Sequence, residues 1–291
     1  MKPLVVVDFR VFVYNILNEF LPIAENRDNR TQQNWLKAAW ALYLNRGFTG
    51  LPYCDHTVVI ADDSPPYWRN KYVKERGFPE YKGGRREKPD TWYQVKEAGH
   101  GYIFSKNSPF LYLSEEGYEA DDIAGTLVRM EPKRTIILHT IDTDWLGLVR
   151  QTNLDYNNLL FESQTETQVL WGNLIKWTPR LRGKKEAVKY VKDKLKTTIL
   201  QPREIWDVKV KKGDKSDNLI PGSPLEVIDL ESPPPEFDLT KDEAKRAKFK
   251  EIANSDISNS SLNHLKTAKN WFEKEGFPIP MLDFNIFPIK L

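Results

Sequence analysis

The chain has 291 residues, of which 40% are apolar and 29% charged, with a formal net charge of +2 and a single cysteine, Cys54. That balance describes a globular protein rather than a disordered or fibrous one, and one cysteine excludes an intramolecular disulfide framework. No run approaches the roughly 18 uninterrupted apolar residues of a membrane span, and the apolar run in MKPLVVVDFR is too short for a signal peptide, so a reducing cytoplasmic setting with no membrane contact is expected.

Residues 3–8 (PLVVVD) form a continuous apolar run ending on Asp8, and residues 57–62 (TVVIAD) repeat the pattern with Asp62 at the end. Runs apolar on both faces belong to buried parallel strands. Residues 109–113 (PFLYL) and 135–141 (TIILHTI) supply further strands, the second followed at once by Asp142 and Asp144. Helical periodicity covers residues 11–20, 32–44, 120–130 and 145–150. The alternation predicts an α/β fold, a doubly wound, mainly parallel sheet that binds its ligand outside the carboxyl ends of the strands. Gly172-Asn173 between β-prone runs predicts a hairpin over 168–178. Beyond it the pattern is helical, over 184–200, 202–211, 241–253 and 261–275, with the proline cluster in 223–237 marking a break and Pro233-Pro234-Pro235 read as a linker. The expected organisation is an α/β core over 1–178 and a mainly helical lobe over 179–291.

Charge is segregated along the chain. Basic residues crowd Arg69–Lys88 and Lys176–Lys215, as a polyanion-binding surface would, although a solvated helix face explains any one run equally well. Acids gather elsewhere. Glu119-Ala120-Asp121-Asp122 opens a helix, where the helix dipole already favours negative charge. Yet Asp8, Asp62, Asp142 and Asp144 end strands whose topology brings them to the same edge. Such crowding is repulsive unless cations neutralise it, and hard oxygen donors without a His or Cys cluster point to Mg²⁺ or Mn²⁺. Gly213-Asp214-Lys215-Ser216-Asp217-Asn218 adds two acids in a stretch that also reads as a helix C-cap and turn.

The stretches VVVDFR, VVIADDSPPYWR, FPEYKGGRREK, YEADDIAGTLV, IDTDWLGLV and KKGDKSDN resemble, in order and spacing, the flap endonuclease or 5′-nuclease superfamily. That superfamily includes the 5′-nuclease domain of bacterial DNA polymerase I, and the resemblance is strongest to phage members such as the T-even phage ribonuclease H. It implies a PIN-like core with an arch or gateway over about 67–118 and two Mg²⁺ ions, Mn²⁺ substituting. Asp8, Asp62, Glu119, Asp121 and Asp142 would surround the first ion, with Asp144, Asp217 and Asp214 at the second. Asp63 and Asp122 would lie behind them; of the adjacent pair Asp62 and Asp63, strand register favours Asp62 as the ligand.

Lys82 and Arg85 match residues that reach the scissile phosphate beside Asp121 and Asp142. The resemblance further assigns nucleic-acid contact to Arg69, Tyr81 and Arg86, with Tyr81 equally readable as core. Lys184, Lys185, Lys189, Lys192, Lys211, Lys212 and Lys215 would grip the duplex, since LIPGSPLEV follows Asn218 where relatives carry a glycine-rich helical motif. In the arch, Trp92, Tyr93, Tyr102 and Phe104 suit base stacking, and Gly99 and Gly101 argue against a long helix.

The implied activity is Mg²⁺-dependent 5′-3′ exonuclease and flap endonuclease cleavage of DNA and RNA–DNA duplexes, including primer removal in replication and repair. The protein would be a monomer, in the host cytoplasm if phage-encoded, with a single-strand-binding protein or sliding clamp as further partner. A Mg²⁺-dependent phosphatase or phosphotransferase, and a non-catalytic DNA-structure-binding protein, are the alternatives. No nucleophilic Asp loop or GxxxxGK[ST] motif supports the first, and no expected acid is missing as the second would require.

Overall fold

The computed structural model describes residues 4–46, 57–148 apart from 107, 133, 135 and 141, 204–255 and 261–278. The hairpin expected over 168–178, the boundary near 178, the basic helix over 184–200 and the tail beyond 278 lie outside the described residues.

Four strands, β1 (Leu4–Asp8), β2 (Thr57–Ala61), β3 (Leu111–Leu113) and β4 (Ile136–His139), form one sheet in the order β3-β2-β1-β4. All pairings are parallel, with Leu4 opposite both Thr57 and Ile136. Parallel strands need crossovers, and helices supply them. Helices α1 (Phe9–Asn26) and α2 (Asn29–Arg46) join β1 to β2; α3 (Trp68–Glu75) and α4 (Asp90–Ile103) join β2 to β3; α5 (Ala120–Met130) joins β3 to β4. The expected short helix after β4 is a 3₁₀ turn, Thr143–Leu148.

Side chains alternate across the strands, so the sheet feeds two cores. Leu4, Val6, Val59, Ala61, Ile136 and Leu138 face one, with α5 and the aromatic residues of α3. Val5, Val7, Val58 and Ile60 face the other, with α1, α2 and α4. Helices α6 (Glu204–Lys212), α7 (Glu243–Asn254) and α8 (Ser261–Lys274) close these two layers: α6 packs on the 3₁₀ turn, α7 on β2 and α5, and α8 on α2.

Two expectations are corrected here. Pro233-Pro234-Pro235 is not a free linker but part of a strap over 223–237: Val227, Ile228 and Leu230 are buried and Phe237 stacks on Trp68 with centroids 4.6 Å apart. Proline supplies turns there without breaking the packing. And α4 runs for 14 residues through both Gly99 and Gly101. A Cβ at Gly99 would lie 2.5 Å from the Trp40 ring, so this glycine serves close helix packing rather than helix termination.

Candidate active site

The carboxyl edge of the sheet carries the acids, and strand alternation decides which of them meet. Asp8 follows Leu4 and Val6 onto one face. Along β2 the same face takes Val59, Ala61 and then Asp63, while Asp62 follows Val58 and Ile60 to the other. Asp62, favoured above as a ligand, therefore points away from the face that carries Asp8 and Asp63. It is fully buried against Lys96 Nζ, His100 Nε2 and the Tyr112 hydroxyl, each 2.9 Å away. Burial alone would raise its pKa; the His100 and Lys96 contacts hold it below the usual carboxylate value.

Asp63 instead accepts from Ala120 N at 2.8 Å and pairs with Arg10. Asp8 accepts from Thr140 Oγ1 at 2.9 Å and from Arg10 N at 3.0 Å. Glu119, the N-cap of α5, pairs with Lys82 and, at 3.2 Å, with Arg69. Asp121 accepts from Trp145 Nε1 at 2.6 Å, and Asp142 from Asp144 N at 2.9 Å. These five acids share one field. Burial first, then the neighbouring charges of Asp63 and Asp142, lift Asp8 to about 7. Burial and then Asp142 raise Asp121 well above its ordinary value. Burial also acts on Glu119, but Lys82 and Arg69 overcome it and draw that group down to about 2.

A second group lies beside the first, linked through Asp142. Lys209 Nζ stands 2.6 Å from Asp144, 2.9 Å from Asp214 and 3.7 Å from Asp217. Arg85 holds the far side of Asp217 at 2.7 Å. The GDKSDN loop that supplies these acids is clasped to the YKGGR turn: Lys82 N donates to Asp217 O at 2.9 Å and Asn218 Nδ2 to Glu80 O at 2.8 Å. Lys82 and Asn218 both adopt positive φ, 58° and 57°, a cost that Lys82 bears at the centre of the site.

The remaining expected residues separate by exposure. Arg85, Arg86, Lys211, Lys212 and Lys215 are exposed. Tyr81 is 3% exposed and Arg69 2%, so both side chains lie in the interior rather than at the surface. Arg69 braces Asp122 in a bidentate pair at 2.5 and 2.7 Å and donates to Val227 O at 2.6 Å. On α4, Tyr93 and Phe104 are exposed at 55% and 62%, whereas Trp92 is buried and Tyr102 is bonded to Asn45. Lys184, Lys185, Lys189 and Lys192 lie outside the described residues.

Arg10, Thr140, Trp145 and Lys209 were not anticipated. Arg10 alone carried a signal, as a basic residue two positions after a strand-end acid; the others acquire roles through contacts distant in sequence.

The donor set suits a hard divalent cation: Asp8, Asp63, Glu119, Asp121 and Asp142 are oxygen donors only. As they stand, no three described His, Cys, Asp or Glu side chains are set to coordinate an ion. Basic side chains stand among them instead.

Residues 6–171 match the family described as 5′-3′ exonuclease, N-terminal resolvase-like domain. The chain is 33% identical over 150 residues to DNA polymerase I of Chloroflexus aurantiacus, covering 50% of this chain and 13% of that protein. It is 28% identical over 224 residues to DNA polymerase I of Pseudomonas aeruginosa, covering 76% of this chain and 20% of that one. The chain thus spans a fifth or less of these relatives' length. Among solved structures it is similar to a bacteriophage T5 flap endonuclease pseudo-enzyme-product complex with DNA and metal ions, at 14% identity and TM-score 0.45, covering 94% of this chain and 97% of that one. It is also similar to T5 5′-exonuclease with bound zinc, at 14% identity and TM-score 0.41, covering 92% and 100%. Likeness that loose carries no argument; the family match does.

Proposed function

The chain belongs to the 5′-3′ exonuclease family through its N-terminal resolvase-like domain, and from that premise we propose that it is a Mg²⁺-dependent 5′-nuclease. Its substrates would be 5′ ends and flaps of DNA and RNA–DNA duplexes, with primer removal among its tasks. One observation carries the reading: Asp8, Asp63, Glu119, Asp121 and Asp142, from four separate parts of the chain, share one field at the carboxyl edge of a parallel sheet. Crowding of that kind is costly, and a divalent cation relieves it.

Bound among these carboxylates, Mg²⁺ or Mn²⁺ would supply Lewis acidity toward the phosphoryl oxygens and a more acidic water. The protein's own groups do the positioning. Thr140 and Arg10 N aim Asp8, Ala120 N aims Asp63 and Trp145 aims Asp121. Lys82, at the head of a turn locked to the GDKSDN loop, supplies an ammonium for the scissile phosphate, and Arg85 a forked guanidinium beside it. Exposed Arg86, Lys211, Lys212 and Lys215 add backbone attraction without sequence preference, so binding falls steeply with salt. A second ion at Asp144, Asp214 and Asp217 meets Lys209 in its place. The resemblance alone supports a cytoplasmic monomer acting in replication and repair beside a single-strand-binding protein or sliding clamp.

Cleavage of a 5′-labelled flap duplex, with and without Mg²⁺, tests the reading. Chelation and Asp121→Asn are each expected to abolish product while duplex binding persists. Cleavage that survives both would overturn the proposal, and turnover of a small phosphomonoester in place of the flap would favour the phosphatase alternative.

A further inference from the structure

We propose that Lys209 is the resident cation of the second carboxylate group, so that the free protein binds one divalent ion tightly and admits a second only when Lys209 is displaced. The inference rests on the metal-dependent reading above and concerns how many ions this chain takes.

Helix α6 carries EIWDVKVKK, and its basic residues divide by face. Lys211 and Lys212 are exposed, while Lys209 is 6% exposed on the face that buries Ile205, Trp206 and Val210. Trp206 fixes the depth of that face by donating to Asp144 O at 3.0 Å, and it fits only because residue 147 is glycine: a Cβ there would lie 2.3 Å from its ring. The helix ends at Gly213, whose φ of +78° reverses the chain. Asp214 and Leu219 then exchange backbone hydrogen bonds at 2.9 Å in each direction, which folds Asp214 and Asp217 back over the helix. The lysine and two of its three acids thus belong to one short helix–loop unit that closes on itself, and Asp144 is brought to it by the 3₁₀ turn.

The two carboxylate groups differ in how they are neutralised. In the second, the ammonium meets Asp144, Asp214 and Asp217 within 3.7 Å, and Arg85 takes the other oxygen of Asp217. In the first, Lys82 and Arg69 take Glu119 and Arg10 takes Asp63, but Asp8, Asp121 and Asp142 have no ion-pair partner within 4 Å among the described residues; their bonds come from Thr140, Trp145 and backbone amides. An entering divalent cation is attracted to the three unpaired acids of the first group and repelled by the ammonium that already spans all three acids of the second. Basic side chains stand in both groups; the difference is that Lys209 reaches every acid of the second, whereas three acids of the first are left outside any ion pair.

The test is a Mn²⁺ titration of the full chain by calorimetry, beside Lys209→Met and Lys209→Arg. The wild type is expected to show one tight site. Lys209→Met should gain a second, bound on the order of tenfold or more tightly than any further ion in the wild type, and Lys209→Arg should keep one. Two tight sites in the wild type, or one in Lys209→Met, overturn the inference and leave the nuclease reading intact. Absence of any site in the wild type overturns the metal-dependent reading itself. Should Lys209→Met fold poorly, Lys209→Gln is compared by melting. Its Tm is expected to rise more with Mn²⁺ than that of the wild type, and equal rises overturn the inference.

Discussion

Arg69→Met separates a brace from a phosphate contact. The guanidinium is 2% exposed and meets Asp122 at 2.5 and 2.7 Å, Val227 O at 2.6 Å and Glu119 at 3.2 Å, with Trp68 beneath it at 4.8 Å from the ring centroid. Methionine keeps much of the volume but leaves the Asp122 carboxylate, itself 8% exposed, with only Glu119 N and Trp68 Nε1 as donors among the described residues. Breaking a buried pair from one side costs about 3–5 kcal/mol, because the remaining charge is stranded. Removing the charge as well should recover part of that loss. Urea unfolding of the wild type, Arg69→Met, Asp122→Asn and the double variant is therefore expected to show a large single-mutant loss and a favourable coupling of roughly 1.5 kcal/mol or more. A loss below about 1 kcal/mol, or additive single effects, would refute the brace. A contact with substrate would instead leave stability alone and lower the salt dependence of binding.

The neighbouring aspartates give a sharper functional contrast. Asp63→Asn is expected to abolish metal-dependent cleavage, whereas Asp62→Asn, altering a site that faces Lys96 and His100, should retain it; the reverse result would show that register was misjudged. Two glycines on α4 should respond with opposite signs. Gly99→Ala drives a methyl to 2.5 Å from Trp40 and is expected to cost about 1–3 kcal/mol, while Gly101→Ala meets nothing within 4 Å and should stabilise by about 0.5–1 kcal/mol, both read by urea unfolding. His139 is 2% exposed, and burial lowers its pKa from 6.5 to about 4. The unfolded chain therefore binds the proton first. Stability is full above pH 6.5 and falls by roughly 3 kcal/mol as pH drops toward 4, a loss that His139→Gln should largely remove from the pH–stability profile.

Much of this protein was legible in one dimension. Apolar runs such as LVVVD and TVVIA could only be buried strands, because a strand polar on neither face has to be covered on both. Parallel pairing and crossover helices follow from that, and so does the edge to which Asp8, Asp142 and Asp144 are delivered. The Glu119–Asp122 helix start was equally plain, and the structure adds that Asp122 closes a capping box while its carboxylate faces Arg69.

What local pattern left open was the direction and company of individual side chains. Asp62 and Asp63 are adjacent and chemically identical, and only the phase of β2 against the two cores sends them to opposite faces. Arg69 and Lys209 read as members of basic stretches, yet their partners lie at Asp122, Val227 and Asp144, beyond any local window. Backbone periodicity is a short-range property, set by alternation and helical turn, so it survives in the sequence. Charge compensation in a buried site is a long-range one, and it exists only once the chain has brought those groups within a few ångströms of each other.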